Sequence, residues 1–145
     1  MIPISYPPPA FKIKQQDKPY IFDSIRKIWL LLTEEEWVRQ NFIHYLIVVK
    51  QYPATAIAVE KEIKLGELKK RFDILVYDAN FQPWMLVECK APHIALSEEV
   101  LQQVLRYNIS VPVPYIVITN GNSTTGWQKK DNGLVLLDDM PVWGE

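Results

Sequence analysis

The amino-acid sequence predicts an α/β domain in which a mixed sheet is flanked by two helices. Two observations lead to this prediction. Helical and strand patterns follow one another in the order helix, strand, strand, strand, helix, strand. The two central strands are apolar on both faces, as a sheet covered on both sides requires. A sheet sandwiched between two helices accommodates this order.

The chain divides into an N-terminal arm and one domain. Residues 1–20 are proline-rich and lack periodicity, which predicts an extended arm that lies on the domain or on a partner. Residues 21–145 are long enough for a single hydrophobic core, so we expect one domain there. Its first segment, residues 21–32, fits a strand and a helical turn equally well, and both interpretations stay open.

The first helix is predicted over residues 34–50. Thr33 is a suitable N-cap, and Glu36 three residues later completes a capping box. Apolar residues at helical spacing form one stripe: Val38, Phe42, Leu46 and Val49. This stripe is expected to face the sheet.

The later elements follow from strand periodicity and turn residues. The predicted strands are "ATAIAVEKEI", "RFDILVYD", "WMLVECK" and "YIVIT", with "KLGELKK" as a polar turn after the first. Ser97 is suited to cap a helix over "EEVLQQVLRYN". The tail "GWQKKDNGLVLLDD" suggests one more hairpin at the sheet edge.

Composition excludes several classes of protein. One cysteine and two histidines supply neither a disulfide framework nor a Cys/His zinc site. Neither a signal peptide nor an apolar segment of membrane-spanning length is evident, so we expect a cytoplasmic protein with no membrane contact. The net charge of -1 means that any nucleic-acid contact must come from local patches or from a partner.

The second hairpin brings two acidic residues together. If Tyr77 pairs with Trp84 across a loop of residues 79–82, Asp73 lies opposite Glu88. Like charges in this arrangement destabilise the pair unless something compensates them. A divalent cation would do so, and carboxylates without imidazole or thiolate suit magnesium or manganese.

The strand "LVECK" adds an amine beside these acids. Lys90 shares a face with Glu88, where it is placed to hold a water or to stabilise charge on a phosphate oxygen. Cys89 points to the other face, so it is a poor nucleophile, although its backbone carbonyl is a candidate metal ligand. In the alternative interpretation the acids are merely solvated at strand ends and the lysine extends into water.

Taken together, "FDILVYD" and "LVECK" resemble the D...ExK signature of the PD-(D/E)XK nuclease superfamily, with Phe72 in place of the proline that names it. More closely, five ordered segments resemble the N-terminal domain of type I restriction enzyme R proteins: "LTEEEWVRQ", "KRFDILVYD", "LVECKAP", "QQVLRYN" and "ITNG". This resemblance covers about residues 21–121 and implies a restriction-endonuclease-like core.

The resemblance also implies roles for particular residues. Asp73 and Glu88 would be the metal ligands and Lys90 the catalytic lysine, while the family's helix glutamate falls on Glu35. Glu35 is expected to face the sheet because it lies three residues before Val38. The Q-x-x-x-Y element of this nuclease subgroup matches Gln103 and Tyr107, which four-residue spacing places on one helix face.

These residues together predict a magnesium-dependent nuclease that hydrolyses DNA. The basic residues Lys69, Lys70 and Arg71 precede Asp73 and form a candidate phosphate-contacting patch, although a solvated turn has the same pattern. The alternative function is a catalytically inactive module that binds nucleic acid, a protein partner or another copy of itself. The R protein carries a helicase motor after this domain, and 145 residues are too few to contain one, so we expect neither translocation nor sequence-specific restriction from them.

Overall fold

The computed structural model describes residues 1–131 and 133–144. In chain order the elements are β1 (Ile13–Gln15), β2 (Pro19–Asp23), β3 (Ile28–Leu31), α1 (Glu34–Val48), a 3-10 turn (Ala54–Ala56), β4 (Ile57–Leu65), β5 (Leu68–Tyr77), β6 (Pro83–Cys89), α2 (Glu98–Asn108), β7 (Tyr115–Thr119), β8 (Thr124–Lys130) and β9 (Gly133–Leu136). The predicted sequence of elements from α1 to β7 is therefore confirmed.

The main sheet has six strands in the order β4-β5-β6-β7-β8-β9. Among the described residues, β6 and β7 pair in parallel and the other neighbours are antiparallel. The parallel pair is joined through α2, as parallel strands need a crossover connection. The predicted α/β class with a mixed sheet and two helices is confirmed.

Each face of this sheet carries its own apolar core. On one face Phe42 and Leu46 of α1 pack with the odd-numbered side chains of β6, such as Val87. On the other face Leu105 of α2 packs with Leu86. The sheet therefore lies between the two helices, and from Met85 to Cys89 alternation along β6 decides which helix a side chain meets.

Helix α1 agrees with the predicted range except at its C-terminal end. Thr33 caps it, with its hydroxyl oxygen accepting a hydrogen bond from the amide of Glu36. The predicted stripe is buried as far as Leu46, but Val49 is 46% exposed. Val49 was placed wrongly because the helix ends at Val48, and Val49 is its C-cap.

The N-terminal segment is more structured than the predicted arm. β1 and the start of β2 fall within residues 1–20, and the open segment 21–32 forms the rest of β2 together with β3. These strands make a separate three-stranded antiparallel sheet. Ile2 is buried, and its amide donates a 2.8 Å hydrogen bond to the carbonyl of Thr124.

The two remaining hairpins differ in how well the sequence predicted them. The segment predicted as the turn "KLGELKK" is mostly strand, because β4 and β5 are separated only by Gly66 and Glu67. Gly66 has a φ of +63°, a conformation in which glycine carries no steric cost. The β8–β9 hairpin at the edge is confirmed, while Asn132 lies outside the described residues.

Within residues 1–131 and 133–144, neither helix has the length and apolar character needed to cross a membrane.

The helix end yields a matched pair of variants. Leu46→Ala should lower the free energy of unfolding by about 2–5 kcal/mol, because it opens a cavity in the core under α1. Val49→Ala should change it by less than about 0.5 kcal/mol, because the side chain is exposed. Urea unfolding followed by circular dichroism measures both, and equal losses would contradict the observed end of the helix.

Candidate active site

The register of β5 against β6 brings Asp73 and Glu88 to the same level. The ladder pairs Ile74 with Val87, Leu75 with Leu86 and Val76 with Met85. Asp73 and Glu88 are the next residues beyond the Ile74–Val87 pair, and their side chains interact. The predicted pair Tyr77–Trp84 was wrong, because an irregularity between Val76 and Tyr77 shifts Tyr77 onto Pro83.

The two carboxyl groups interact directly. Burial raises the pKa of Glu88 to about 9, and the negative charge of Asp73 and a hydrogen bond to its carboxyl group raise it too, while Lys90 lowers it. Glu88 Oε1 is buried and has no hydrogen-bond partner among the described residues. The other acid is anchored, since Asp73 Oδ2 accepts a 2.7 Å hydrogen bond from the amide of Cys89. An unpaired buried carboxylate oxygen therefore lies next to a fixed one.

Side-chain alternation along β6 places the basic group beside Glu88. Cys89 packs in the core under α1, whereas Glu88 and Lys90 line a cavity of about 270 Å³ facing α2. Gln103 and Tyr107 line the same cavity from the helix. The structure thus brings together the predicted glutamate, lysine, glutamine and tyrosine.

Strand β5 is distorted at Asp73. Regular alternation would put Phe72 and Ile74 on one face, but Phe72 packs under α2 and Ile74 under α1. The neighbouring strand is irregular at the same level, where Glu60 has a φ of +54°. Positive φ is uncommon for a residue other than glycine. The distortion turns Asp73 toward α1 while its carboxyl group still reaches Glu88.

On the α1 side Asp73 opens into a second cavity of about 350 Å³, which Glu35 also lines. Burial and the negative charge of Asp73 raise the pKa of Glu35, and Lys90 and Arg39 lower it. Glu35 is exposed as a residue, yet it lies close enough to feel both Asp73 and Lys90. The structure therefore places the predicted helix glutamate at the edge of the site.

Glu36 does not complete the predicted capping box. Its side chain is buried and accepts hydrogen bonds from Arg39 and Gln40 instead of reaching back to Thr33. The backbone amide of Thr33 donates to the carbonyl of Leu31. Because that donor already has a partner, the Glu36 carboxylate is free to pair with Arg39.

Arg39 is a site residue that the sequence prediction missed. It is buried, pairs with Glu36 and Glu60, and its Nη1 lies 3.8 Å from Asp73 Oδ1. Burial lowers the pKa of Arg39, but the hydrogen bonds to the two glutamates outweigh this and the net shift is upward. The i,i+3 spacing of Glu36 and Arg39 was the available signal, and Glu60 was too distant in sequence to be recognised.

The predicted basic patch is divided by the strand it lies on. Lys69 and Arg71 are exposed, and Arg71 approaches Glu60 at 3.9 Å. Lys70 points the other way, where its ammonium donates to the carbonyl of Tyr107 and lies 4.5 Å from that residue's ring centroid. Lys70 thus braces α2 against β5, and two of the three predicted residues remain available to a ligand.

The oxygen atoms at this site suit a hard cation, although few carboxylate side chains supply them. Among the described residues, no group of three His, Cys, Asp or Glu side chains is arranged to hold a metal ion. Asp73 and Glu88 supply two carboxylates. Glu88 Oε1 has no hydrogen-bond partner among the described residues, so it is available as a metal ligand. The amide of Cys89 points at Asp73, and the carbonyl of a strand residue leaves on the same side as its amide. Magnesium accepts one or two carboxylates and keeps its waters.

The Cys89 side chain does not take part in this site. It is a free, buried thiol in the core under α1, and burial raises its pKa well above the ordinary value. A thiol that stays protonated is a weak nucleophile. The backbone amide of Cys89 hydrogen-bonds Asp73, and the residue also lines the cavity that contains Asp73.

Comparison with known proteins identifies one family. The family described as "Type I restriction enzyme R protein N terminus" matches residues 34–141. The match includes both helices and the whole site, from Glu35 to Tyr107, and begins after the three-stranded sheet. A search of curated proteins found no match.

The raised pKa of Glu88 predicts how stability depends on pH in the presence of a chelator. The folded protein holds this proton up to about pH 9, whereas an exposed glutamate loses it near 4.5. The contribution of Glu88 to the free energy of unfolding is therefore complete below pH 4.5. It is lost as pH rises toward about 9, by at most about 1.4 kcal/mol per pH unit. Glu88→Gln should flatten this decline, because an amide does not titrate.

Urea unfolding at pH 6 and pH 8.5 in EDTA measures the effect. Glu99→Gln is the matched control, since this exposed glutamate on α2 should leave the pH dependence unchanged. An equally steep decline in Glu88→Gln would contradict the assignment of the proton to Glu88.

Proposed function

The chain belongs to the type I restriction enzyme R protein N-terminal family, and from this premise we propose that it is a magnesium-dependent nuclease that hydrolyses phosphodiester bonds in DNA. The observation that carries the proposal is the convergence of Asp73 and Glu88, with one unpaired buried oxygen, beside Lys90. In this proposal the sheet and its two helices form a restriction-endonuclease-like core of the PD-(D/E)XK type.

Asp73, Glu88 and the carbonyl of Cys89 would hold the magnesium or manganese ion. When bound, such an ion lowers the pKa of a coordinated water and neutralises charge on a phosphate oxygen. The residues are suited to this because the amide of Cys89 already fixes Asp73, so little reorganisation is needed on that side. Glu88 must release its proton to become a ligand.

Lys90 is the group best placed to act on the phosphate. Its backbone is fixed by a 2.8 Å hydrogen bond from its amide to the carbonyl of Thr119, and its side chain lines the cavity with Glu88. Its ammonium would hold the attacking water and stabilise negative charge that develops on phosphate oxygens. The water oxygen would bond to phosphorus as the ester bond to the leaving oxygen breaks, and the proton that the water loses would balance the proton that the leaving oxygen takes up.

The surrounding residues have supporting roles in the proposal. Gln103 would orient Lys90 or the phosphate, and Tyr107 closes the same cavity. Glu35 would assist from the α1 side. Lys69 and Arg71, exposed on the strand that leads into Asp73, would contact the DNA backbone.

One observation favours the alternative of a module that binds without cutting. The described residues offer only two carboxylates at the candidate metal position, and Arg39 already places positive charge 3.8 Å from one of them. A site whose negative charge is balanced by arginine has less need of a metal. The two functions differ in whether the site binds a divalent ion.

Removing either central group should abolish cleavage. Glu88→Ala and Lys90→Ala should each slow magnesium-dependent cleavage of plasmid DNA by more than about a hundredfold, because each removes a group that stabilises charge in the transition state. Glu99→Ala and Lys130→Ala, at exposed positions on α2 and β8, are the matched controls. Cleavage at the wild-type rate in both central variants, with unchanged thermal unfolding, would reject the catalytic assignment.

Metal binding separates the two candidate functions without any substrate. Titration calorimetry with magnesium should give a binding signal for the wild-type protein and none for Glu88→Ala. The affinity should increase from pH 6 to pH 8.5, because the ion competes with the proton on Glu88. A wild-type protein that binds neither magnesium nor manganese would favour the noncatalytic module.

A further inference from the structure

The small N-terminal sheet has one face that the proposed nuclease site does not use. Cross-strand pairing puts Lys14, Tyr20 and Leu31 side by side, and it puts Phe22 next to Trp29. These side chains occupy one face, since directly paired residues point the same way. Ile21 and Asp23 point to the opposite face and are fully buried. We call the first face the outer face of the small sheet.

Lysines cover the aromatic rings of this outer face. Lys14 Nζ lies 4.4 Å from the centroid of the Trp29 ring, and Lys12 Nζ lies 5.5 Å from that of Phe22. The two rings meet edge to face with centroids 5.3 Å apart. Trp29 remains 39% exposed and Leu31 41% exposed. The face therefore combines accessible ring surface with two ammonium groups.

The small sheet is also locally basic in a chain whose net charge is -1. Residues 12–27 contain five basic residues and two acidic ones: Lys12, Lys14, Lys18, Arg26, Lys27, Asp17 and Asp23. Asp23 and Arg26 pair with each other, so the unpaired excess is four lysines against Asp17. This positive charge complements a polyanion.

From this combination we propose that the outer face of the small sheet binds single-stranded nucleic acid. Unpaired bases stack on exposed aromatic rings, and lysines beside the rings contact the phosphates. Contacts between exposed lysines and rings are weak, so Lys12 and Lys14 can exchange a ring for a phosphate. A duplex offers no free base faces along its length, which is why the proposal names a single strand.

The position of β3 connects this face to the candidate active site. β3 ends at Leu31, and two residues later Thr33 caps α1 and lines the cavity that contains Asp73. Tyr20 and Leu31 lie at the end of the outer face nearer to that cavity, and Phe22 and Trp29 lie farther along it. A single-stranded nucleic acid held on the outer face would therefore lead toward the candidate active site. This path to the site rests on the proposed nuclease function, whereas binding to the outer face does not.

Fluorescence anisotropy of a labelled oligothymidylate in EDTA tests the binding apart from metal and cleavage. Trp29→Ala should weaken binding about tenfold, and Trp29→Phe should retain most of it because it keeps a ring. The double variant Lys12→Ala/Lys14→Ala should reduce the slope of log affinity against log salt by about 1.4. Phe81→Ala and Lys130→Ala are the controls. Phe81 is an 85% exposed ring between β5 and β6, and Lys130 is an exposed lysine on β8.

Three results would overturn the proposal. One is unchanged affinity and salt dependence in the Trp29 and lysine variants. Another is competition by a duplex of mixed sequence that matches competition by the single strand. The third is a wild-type dimer that Trp29→Ala dissociates without any change in DNA affinity, which would assign the face to a second copy.

The readouts distinguish this proposal from the nuclease function. Trp29-dependent binding in a wild-type protein that never cleaves DNA would support the outer face and reject the nuclease. DNA cleavage by a protein whose DNA binding does not depend on Trp29 would support the nuclease function and reject the outer-face proposal. Because Lys12 is exposed and Lys14 is half-buried, with neither in the core, the lysine variants test the proposal even if Trp29→Ala impairs folding.

Discussion

The meeting of two carboxyl groups across β5 and β6 is the constraint on which the site depends. Opposed like charges destabilise a strand pair, and burial adds the cost of desolvating them. The protein accommodates the pair by raising the pKa of Glu88 to about 9, so that a proton occupies the space between the acids. A proton in such a position acts as a substitute for a cation. A buried pair of acids lowers the stability of the fold. The proposed function gives the pair a use, because a divalent cation would take the place of the proton.

The distortion at Asp73 allows groups from both faces of the sheet to act on one point. In a regular sheet, residues on opposite faces are separated by the backbone, and an acid facing α1 would not meet a glutamate facing α2. Here Asp73 faces the α1 cavity and still interacts with Glu88, which faces the α2 cavity. Glu35 from one helix and Gln103 from the other therefore border a single site. The strained φ of Glu60 at the same level belongs to this distortion.

Much of this arrangement followed from local patterns in the sequence. Alternation along "LVECK" predicted that Glu88 and Lys90 share a face, and the hairpin predicted the level of Asp73 even though its assumed pair Tyr77–Trp84 was wrong. The error was harmless because the irregularity lies between the loop and the regular ladder, so it moved Tyr77 and left the rest in register. Four-residue spacing likewise predicted that Gln103 and Tyr107 share a face.

The features that sequence patterns did not predict depend on tertiary contacts. Glu36 looked like a capping residue, and only its pairing with Arg39 shows why it is buried. Arg39 in turn is fixed by Glu60, which is 21 residues away in the chain. The small N-terminal sheet was missed because three prolines in a row and a short ambiguous segment hide strands of three to five residues. Short strands carry too few residues for periodicity to decide.

The charges that line the two cavities bear on where DNA would bind to the protein in the absence of a metal ion. In the described part of the chain, the carboxyl groups at the two cavities are Glu35, Glu36, Glu60, Asp73 and Glu88, and the cations are Arg39 and Lys90. Even with a proton on Glu88, acids outnumber cations there, and a phosphate would increase the repulsion. In the proposed function, a bound divalent ion would offset most of this negative charge at the point where phosphate must approach. Without such an ion, a polyanion would be better accommodated on the lysine-rich outer face of the small sheet, so the two proposals assign binding and cleavage to different parts of the molecule.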